Sequence, residues 1–430
     1  MKLAGPFFKD IVASDPFADA NDVAAAGGKL VSFDEVLTTS DFVVVCCLLT
    51  DETRHLMNAD AFAKMKPDAY YLNVGRGPIH DEAALVAAQR GLRVILMEAR
   101  PWLGGHFEYR SAEYKDRQTF HDRAEQLAKE VEKKANIRVF TYTSMVGTYN
   151  NNLITGFQIG KETDFFDERY IEIRASAVVV ATGCIERPLI FDNNERPGVM
   201  QVACALRLAN TYGLLPGKNA VFSIGHDMGL EAAVTLYDLG LAIECIADIR
   251  EDGQDESLLK AVQERNITLF KGWVAATAHG GKQVKKVTLT SIDGTVSKTL
   301  NCDLLVASAG MTPVTGALTV AQAKLKYDSH SGFFLPTDLP KKMHAAGRLL
   351  GLDNGTAIEA SGELAGLKAA HDCGSGSAAE IEEAKKELKN LPGPTQGTKF
   401  VTAPVKGRKS FICFDEDTTI KNIKQSIDKG

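Results

Sequence analysis

Two glycines and one acidic residue between residues 69 and 98 have the types and spacing of a dinucleotide-binding site. The strand-like sequence AYYLNV runs into Gly75-Arg76-Gly77, an Ala-rich helical pattern follows, and a second strand-like run, LRVILM, ends at Glu98. Gly75 would permit the tight turn and Gly77 the close approach of backbone to a pyrophosphate, while the helix N-terminus supplies free N–H groups. Glu98 falls where an acidic residue accepts ribose hydroxyls. The stretch therefore predicts a βαβ unit that binds a dinucleotide.

A histidine stands where this pattern normally has its third glycine. The sequence reads G-x-G-x-x-H, with His80 at the last position. The third glycine lets the helix pack closely against the strand, and the bulk of an imidazole should push the helix away. The pattern is therefore less specific than a complete fingerprint.

Further glycines could bring backbone close to the same cofactor. Arg100 follows Glu98 closely, with Gly104 and Gly105 shortly after it, and the run AVVVATG ends a strand at Gly183. Glycines of this kind also form ordinary turns or simply end strands. We assign Arg100 and these glycines to the site because Glu98 stands beside them in the sequence.

A second βαβ pattern, NAVFSIGHDMGLEAAVTLYDLGLAIECIAD, has a degenerate loop and ends at Asp248. Ile224 and His226 take the places of the first two glycines, which leaves Gly225 and Gly229 in or near the loop. Asp248 could hold a ribose or could be an ordinary solvated strand end. The sequence leaves both interpretations open for this second site.

The remaining elements indicate an α/β fold with Rossmann-like parallel sheets and two dinucleotide-binding domains. Apolar runs such as ASAVVVATG and CDLLVASAG alternate with helical patterns such as GLEAAVTLYDLG. Strands buried on both faces of a parallel sheet have this composition, and the alternation is typical of crossover helices. Residues 282–300 instead alternate with period two and contain Asp293-Gly294. That segment predicts a β-hairpin.

Composition excludes several classes of partner. The 430 residues carry a net charge of −6, with no long basic run, so nucleic acid and anionic membranes are not expected as partners. The apolar stretch 42–49 is far shorter than the roughly 20 residues of a membrane helix. No signal peptide is recognisable, and eight cysteines without a C-x-x-C pattern favour reduced thiols. We therefore expect a cytoplasmic protein.

From about residue 91 onward the chain resembles the α subunit of heterotetrameric sarcosine oxidase and its amine- and opine-oxidising relatives. The resemblance is carried by RVILMEARPWLGGHFEYR, VVVATGCIERPLIFDNNERPGVMQ and LLVASAGMTP. It implies that Glu98, Gly104, Gly105 and Gly183 line a site for FAD or NAD. In these relatives the amine is oxidised mainly in another subunit, which implies a second oxidoreductase subunit as partner and a small amine or amino acid as substrate.

The same resemblance assigns a late strand to the cofactor site. Gly347, in AAGRLLGLDNG, stands where the family returns a strand to the cofactor, but Arg348 replaces an acidic residue that is frequent in flavoproteins of this shape. Near the C-terminus, KSFICFDEDTTIKNIKQSIDKG resembles the entry to a folate-using domain. Cys413 alone cannot supply the thiolates of an iron–sulfur cluster.

Residues from about 3 to 90 resemble a different family, the D-2-hydroxyacid dehydrogenases. The matching segments are VASDPFAD, LVSFDEVLTTSDFVVVCCLLTDETRHLMN and KMKPDAYYLNVGRGPIHDEAALVAA. The resemblance implies that Asp15 held an NAD ribose and Arg76 a substrate carboxylate. The glycine loop and the catalytic His and Glu of that family are missing, and His55 and His80 lie in the wrong motifs to replace the histidine.

Two hypotheses follow from the junction of these resemblances. Gly75-Arg76-Gly77 could replace the missing flavoprotein fingerprint, or the first site could be without function. The leading interpretation is an FAD- or NAD-dependent oxidoreductase subunit acting on secondary amines or amino acids. The alternatives are an incomplete NAD-dependent D-2-hydroxyacid dehydrogenase and a non-catalytic nucleotide-binding scaffold. No residue stands out as a general base, so no catalytic residue is assigned.

The predicted domain organisation follows the same junctions. An N-terminal partial Rossmann segment precedes a first dinucleotide-binding domain, which is interrupted by the second, degenerate one. A helix with a linker and the start of a C-terminal domain follow. The predicted ranges are 1–68, then 69–215 with 305–375, then 216–304, 376–408 and 409–430.

Overall fold

The computed structural model divides into two compact units, residues 1–69 and 70–430. It describes residues 12–13, 23–24, 28–32, 35, 70–75, 78–110, 113–115, 118–161, 166–394, 409–414 and 416–429. In the first unit the described residues include two short parallel strands. The predictions for Asp15, Arg76, Gly77 and His55 fall outside the described residues, as does the side chain of His80.

Strands and helices follow each other along the chain in the order expected of an α/β protein. The strands are β1 (Val12–Ala13), β2 (Lys29–Leu30), β3 (Tyr70–Gly75), β4 (Arg93–Met97), β5 (Glu113–Lys115), β6 (Gln118–Thr119), β7 (Ile137–Phe140), β8 (Thr143–Tyr149), β9 (Leu153–Ile159), β10 (Glu168–Arg174), β11 (Ala177–Ala181), β12 (Cys184–Glu186), β13 (Val199–Met200), β14 (Asn219–Ile224), β15 (Ala242–Asp248), β16 (Leu269–Lys271), β17 (Trp273–His279), β18 (Lys286–Ser291), β19 (Ser297–Asn301), β20 (Leu304–Ala307), β21 (Met311–Pro313), β22 (Lys324–Asp328), β23 (Phe333–Asp338), β24 (Met343–Ala345), β25 (Phe411–Cys413) and β26 (Thr418–Thr419). The helices are α1 (Pro78–Gln89), α2 (Phe120–Glu132), α3 (Val202–Tyr212), α4 (Asp227–Asp238), α5 (Glu256–Glu264), α6 (Gly316–Val320), α7 (Gly355–Asp372), α8 (Ala378–Asn390) and α9 (Ile420–Lys429). Among the described helices, none has the length and apolarity needed to cross a membrane.

Local sequence explains where several helices begin. Helix α1 starts at Pro78, whose fixed φ suits the first helical position and whose missing N–H costs nothing there. Helices α2 and α8 each begin with a capping box, in which the N-cap side chain and an acidic side chain three positions later bond each other's backbone N–H groups. Asn354 caps α7 by accepting the N–H of Ala357.

The first parallel sheet has the strand order β24-β11-β3-β4-β7. Numbered along the chain, this is the 3-2-1-4-5 order of a doubly wound dinucleotide-binding unit, with its switch point between β3 and β11. Helices α1, α2 and α7 cover one face and share an apolar core with the sheet. Gly366 of α7 lets that helix approach α1 closely, because a Cβ there would lie 2.8 Å from the Ala83 carbonyl oxygen.

The second parallel sheet has the order β13-β20-β14-β15-β16. Apolar residues of α3, α4 and α5 pack on one face, and the antiparallel sheet β17-β18-β19 packs on the other. The predicted parallel α/β architecture with two such sheets is therefore confirmed. The predicted hairpin is also confirmed, since β18 pairs antiparallel with β19 around the Asp293-Gly294 turn.

The chain crosses between the two sheets twice. Strands β12 and β21 pair antiparallel and form a ribbon between the two sheet regions. Strand β20 pairs with β14 and therefore belongs to the second sheet, although the predicted boundary at residue 305 falls inside it. We propose that the second domain extends through Ala307 and that the chain returns to the first domain after it.

The C-terminal segment forms two short strands and a helix. Strands β25 and β26 pair antiparallel, and α9 follows directly. Two hydrogen bonds join the segment to the loop before β13. The Asn194 amide donates to the Phe411 carbonyl at 2.9 Å and accepts the Phe411 N–H at 3.0 Å. Helix α8 lies within the predicted helix-and-linker range.

Candidate functional site

The carboxyl ends of β3 and β11 form the centre of the candidate site. Gly75, the last residue of β3, lies opposite Ala181, the last residue of β11. Gly183 follows with φ of 68°, in the left-handed region that favours glycine. Because strand order reverses between these two strands, a crevice opens at their carboxyl ends, where dinucleotides bind in such sheets.

Glu98 occupies the end of the neighbouring strand and is fully buried. Its backbone is held on both sides, since its N–H donates to the Phe140 carbonyl and its own carbonyl accepts the Thr143 N–H, at 2.8 and 2.9 Å. Its Oε1 accepts the N–H of Arg100 at 2.8 Å. The carboxylate is thereby held at the edge of the sheet next to β3.

The loop after Glu98 is closed by Arg100. The Arg100 Nη1 donates to the Gly105 carbonyl at 2.6 Å. Gly104 and Gly105 have φ of 100° and 54°, so this tight loop uses conformations that side chains disfavour. The structure therefore brings Arg100, Gly104 and Gly105 to the same edge as Glu98.

The late strand β24 pairs with β11 and ends at the same sheet edge. Gly347 follows with φ of 73°, and its N–H donates to Ser361 Oγ at 2.8 Å. Arg348 is 4% exposed, and its Nη2 lies 2.9 Å from the Asp353 carboxylate. A buried cation therefore occupies the position where the sequence comparison expected an acidic residue.

Residues 106–110 connect the cores of the two sheets. Phe107 packs in the first core and Tyr109 in the second. Arg110 and Glu231 of α4 form a buried ion pair, with 2.5 Å between Nη2 and Oε2. His106 contacts Tyr109, and burial together with nearby arginines holds the pKa of His106 well below its usual value. A neutral imidazole therefore lies between the two sheets.

Side chains of the protein itself fill the crevice of the second sheet. His226 Nε2 and Ser308 Oγ are 2.7 Å apart, and they join the ends of β14 and β20 across the switch point. Burial lowers the pKa of His226 to about 3, so this histidine is neutral. A Cβ at Gly229 would lie 2.6 Å from the Ile224 side chain. Gly225 lies between Ile224 and His226 in this closed turn.

Asp248 is fully buried, and its carboxylate is bound by Arg250. The Arg250 backbone N–H and Nε donate to Oδ1 at 2.9 and 3.1 Å, and Nη2 donates to Oδ2 at 2.8 Å. A ribose hydroxyl would have to displace this pair. The residues at the predicted second site are therefore brought together, but in a closed arrangement.

Two features of this region were not predictable from sequence motifs. Arg110 and Glu231 are 121 positions apart, and no motif links them. Glu186 accepts the N–H groups of Val202 and Ala203 at 2.9 and 2.8 Å, so its carboxylate caps α3. The run of apolar residues before Glu186 was visible in the sequence, but no motif indicated that Glu186 would cap α3.

The residues at the first sheet edge fit a dinucleotide. Glu98 is a buried carboxylate after the strand next to β3, where dinucleotide folds carry the acidic residue that accepts ribose hydroxyls, and Gly183 and Gly347 have positive φ at the same edge. Among the described residues no cluster of His, Cys, Asp and Glu could hold a metal ion. The fold and this edge together define an α/β protein with the architecture of a dinucleotide-binding protein.

Comparison with protein families gives the same class. Residues 74–339 match the family model described as pyridine nucleotide-disulphide oxidoreductase. Because this match covers more than half of the chain, the protein belongs to that family of oxidoreductases. Residues 1–94 match a second model, the NAD binding domain of D-isomer specific 2-hydroxyacid dehydrogenase. Both descriptions support the predicted cofactor class, FAD or NAD.

Individual relatives confirm both predicted resemblances. Sarcosine oxidase subunit alpha of Corynebacterium sp. (strain U-96) is 28% identical over 379 residues, covering 84% of this chain and 38% of that protein. Glyoxylate/hydroxypyruvate reductase B of Shigella boydii serotype 4 (strain Sb227) is 58% identical over 64 residues, 15% of this chain and 20% of that protein. The chain thus spans about two fifths of the length of the sarcosine oxidase subunits it matches.

A solved structure supports the fold. The crystal structure of L-proline dehydrogenase from P. horikoshii superposes with a TM-score of 0.65 at 20% identity, covering 84% of this chain and 67% of that chain. At this identity the likeness establishes the fold alone. The predicted Rossmann-type architecture is therefore confirmed.

Proposed function

We propose that this chain is the dinucleotide-holding subunit of an oxidoreductase that oxidises secondary amines or amino acids together with a partner subunit. The observation that carries the proposal is the edge of the first sheet, where buried Glu98 and the left-handed glycines Gly183 and Gly347 meet. The relatives named sarcosine oxidase subunit alpha support an amine as substrate and a further subunit as partner.

Each residue at this edge has a role in binding rather than in bond making. Glu98 would accept ribose hydroxyls, and the loop closed by Arg100 would keep water from that end of the ligand. The bound dinucleotide would supply hydride transfer, and the chain would supply orientation and electrostatics. The partner subunit would contribute the amine-binding groups.

An activity measurement on the intact assembly tests this proposal. We would isolate the affinity-tagged chain from its native cells with any bound subunit and measure reduction of an electron-accepting dye. Sarcosine and proline would be the amine substrates, and glycolate would be the control hydroxyacid. We expect amine-dependent reduction by the assembly and none by the chain separated from its partner.

The N-terminal match provides the competing function. The 64-residue similarity to glyoxylate/hydroxypyruvate reductase B favours a reductase of 2-oxoacids. The same preparation is therefore assayed with hydroxypyruvate and NADH. NADH oxidation by the isolated chain, without amine-dependent dye reduction in the assembly, would replace the proposed function with this alternative.

A further inference from the structure

Arg348 and Arg110 carry buried guanidinium nitrogens that bond to no acceptor in the part of the chain the structure describes. Arg348 is 4% exposed and Arg110 is 7% exposed. Nε and Nη1 of Arg348 and Nη1 of Arg110 have no hydrogen-bond partner among the described residues. Each arginine is held by its remaining nitrogens, since Arg348 pairs with Asp353 and Arg110 pairs with Glu231.

Buried donors without acceptors are costly. A buried hydrogen-bonding group without a partner loses about 1–3 kcal/mol, and a charged group loses more. Native proteins keep few such groups, and a bound ion is one of the reasons for which they are kept. Arg348 and Arg110 both act on the Asp353 carboxyl, so their free nitrogens lie in one region and indicate a ligand that supplies oxygen acceptors.

The position of Arg348 indicates where that ligand comes from. It follows Gly347 directly, at the carboxyl end of β24 and beside β11. This is the edge at which the first sheet would hold its dinucleotide. The Arg348 carbonyl accepts the Cys184 S–H at 3.1 Å, which ties the residue to the strand after Gly183.

The electrostatic surroundings favour an anion. Four arginines, Arg348, Arg110, Arg100 and Arg207, act together with burial to lower the pKa of His106. Asp353 pairs with Arg348 and Glu231 pairs with Arg110, and Glu186 also interacts with Arg348. These pairs leave Nε and Nη1 of Arg348 and Nη1 of Arg110 without an acceptor among the described residues, and Oδ1 of Asp353 has an ion-pair contact to Arg348 but no hydrogen bond.

We propose that Nη1 of Arg348 and Nη1 of Arg110 bind phosphate oxygens of the nucleotide held at the first sheet edge. This rests on the proposed function, which places a dinucleotide there. The contact uses one free N–H from each arginine, because Nη2 of each is paired with a carboxylate. Charged N–H donors form strong hydrogen bonds with phosphate oxygens, and phosphates are the anionic groups of a dinucleotide. The contact adds an arginine clamp to the glycine loops that approach the ligand through backbone.

Binding of inorganic pyrophosphate to the full chain tests the site. We would titrate pyrophosphate into the nucleotide-free wild type, Arg348→Met and the charge-balanced double variant Arg348→Met/Asp353→Asn, following heat of binding and the shift in melting temperature. Arg265→Met, which removes an exposed arginine paired with Asp238, is the matched control. We expect affinity to fall about tenfold or more in both Arg348 variants, as for loss of hydrogen bonds to a charged group, and to stay unchanged in the control.

The outcomes separate this inference from the proposed function. Equal pyrophosphate affinity in wild type and both Arg348 variants overturns the phosphate site, and so does displacement of pyrophosphate by equimolar acetate, which would show a carboxylate site. If Arg348→Met also keeps wild-type affinity for FAD and NAD, the phosphate site is wrong while the dinucleotide role stands. If wild type binds pyrophosphate in an Arg348-dependent way but neither FAD nor NAD, the phosphate site is supported and the proposed function fails.

Discussion

The partly buried carboxyl group of Glu82 makes the stability of this protein depend on pH. Glu82 of α1 lies 3.8 Å from Arg123, which in turn bonds Glu359 at 2.6 Å. Burial, reinforced by Glu359, raises the pKa of Glu82 from 4.5 to about 7 although Arg123 opposes the change. Between these two values the folded chain keeps a proton that the unfolded chain loses, so stability falls as pH rises through this window.

Replacing Glu82 with glutamine should remove this dependence. In Glu82→Gln the loss of folding free energy between pH 5 and pH 8 should shrink by up to about 3 kcal/mol, because no charge has to be buried. Urea unfolding at pH 5 and at pH 8 measures this change in folding free energy. Glu132→Gln, at an exposed position of α2, is the control and should follow wild type. An unchanged slope in Glu82→Gln would show that this carboxyl is not the cause.

The ion pair between Arg110 and Glu231 should be costly to break from one side. Both side chains are over nine-tenths buried. Glu231→Leu should lower the free energy of unfolding by about 3–5 kcal/mol, because Arg110 would remain buried without its partner. Arg110→Met/Glu231→Leu should recover most of that loss. If the double variant were no more stable than Glu231→Leu in urea unfolding, the pair would not be the source of the loss.

At the level of elements, runs of sequence predicted the strands and turns that depend on local pattern. LRVILM and NAVFSI became β4 and β14, and the Asp293-Gly294 turn became a hairpin. The antiparallel sheet β8-β9-β10 was not predicted, because its strands mix polar and apolar residues and the turn between β8 and β9 is built from asparagines, two of them with positive φ, instead of a glycine. Pairing between distant segments is not encoded in local spacing.

In the candidate site too, features that depend on local spacing were predicted and contacts between distant residues were not. The place of Glu98 at a strand end followed from its distance to the glycines, and the structure puts it there. The closing of the second crevice by His226 with Ser308 could not be predicted, since these residues are 82 positions apart. Arg250 is close to Asp248 in sequence, but only the fold turns its side chain back onto that carboxylate.

Contact between α1 and α7 requires a glycine. A Cβ at Gly366 would also lie 3.0 Å from the Val86 Cβ, so Gly366→Ala should push the helices apart and cost about 1–3 kcal/mol despite the better helix propensity of alanine. Gly316→Ala is the matched control, since open space surrounds that helical glycine. Thermal unfolding of both variants gives the comparison, and equal melting temperatures would contradict the close contact.

At the level of the whole molecule, the two parallel sheets differ in what occupies their carboxyl edges. The first keeps a carboxylate and left-handed glycines at its edge, whereas the second fills its crevice with its own side chains. We therefore expect one dinucleotide site per chain. Opening the crevice of the second sheet to a nucleotide would require breaking the buried Asp248–Arg250 pair, which costs several kcal/mol.

A pair of variants tests which sheet binds the dinucleotide. Glu98→Gln should weaken binding of the dinucleotide about tenfold or more, because ribose hydroxyls lose a charged acceptor. Asp248→Asn should leave the affinity unchanged, since its carboxylate serves Arg250. Equilibrium dialysis with NADH and with FAD provides the affinities and the stoichiometry. Weaker binding in Asp248→Asn alone would assign the dinucleotide to the second sheet.

The nucleotide content of the purified full-length chain tests the central claim most directly. The chain would be purified without added cofactor, its absorbance spectrum recorded, and any nucleotide released by denaturation and separated by chromatography. We predict FAD or NAD at close to one equivalent per chain, held at the first sheet edge. A chain that carries no nucleotide and takes up neither FAD nor NAD when they are supplied would contradict the dinucleotide role.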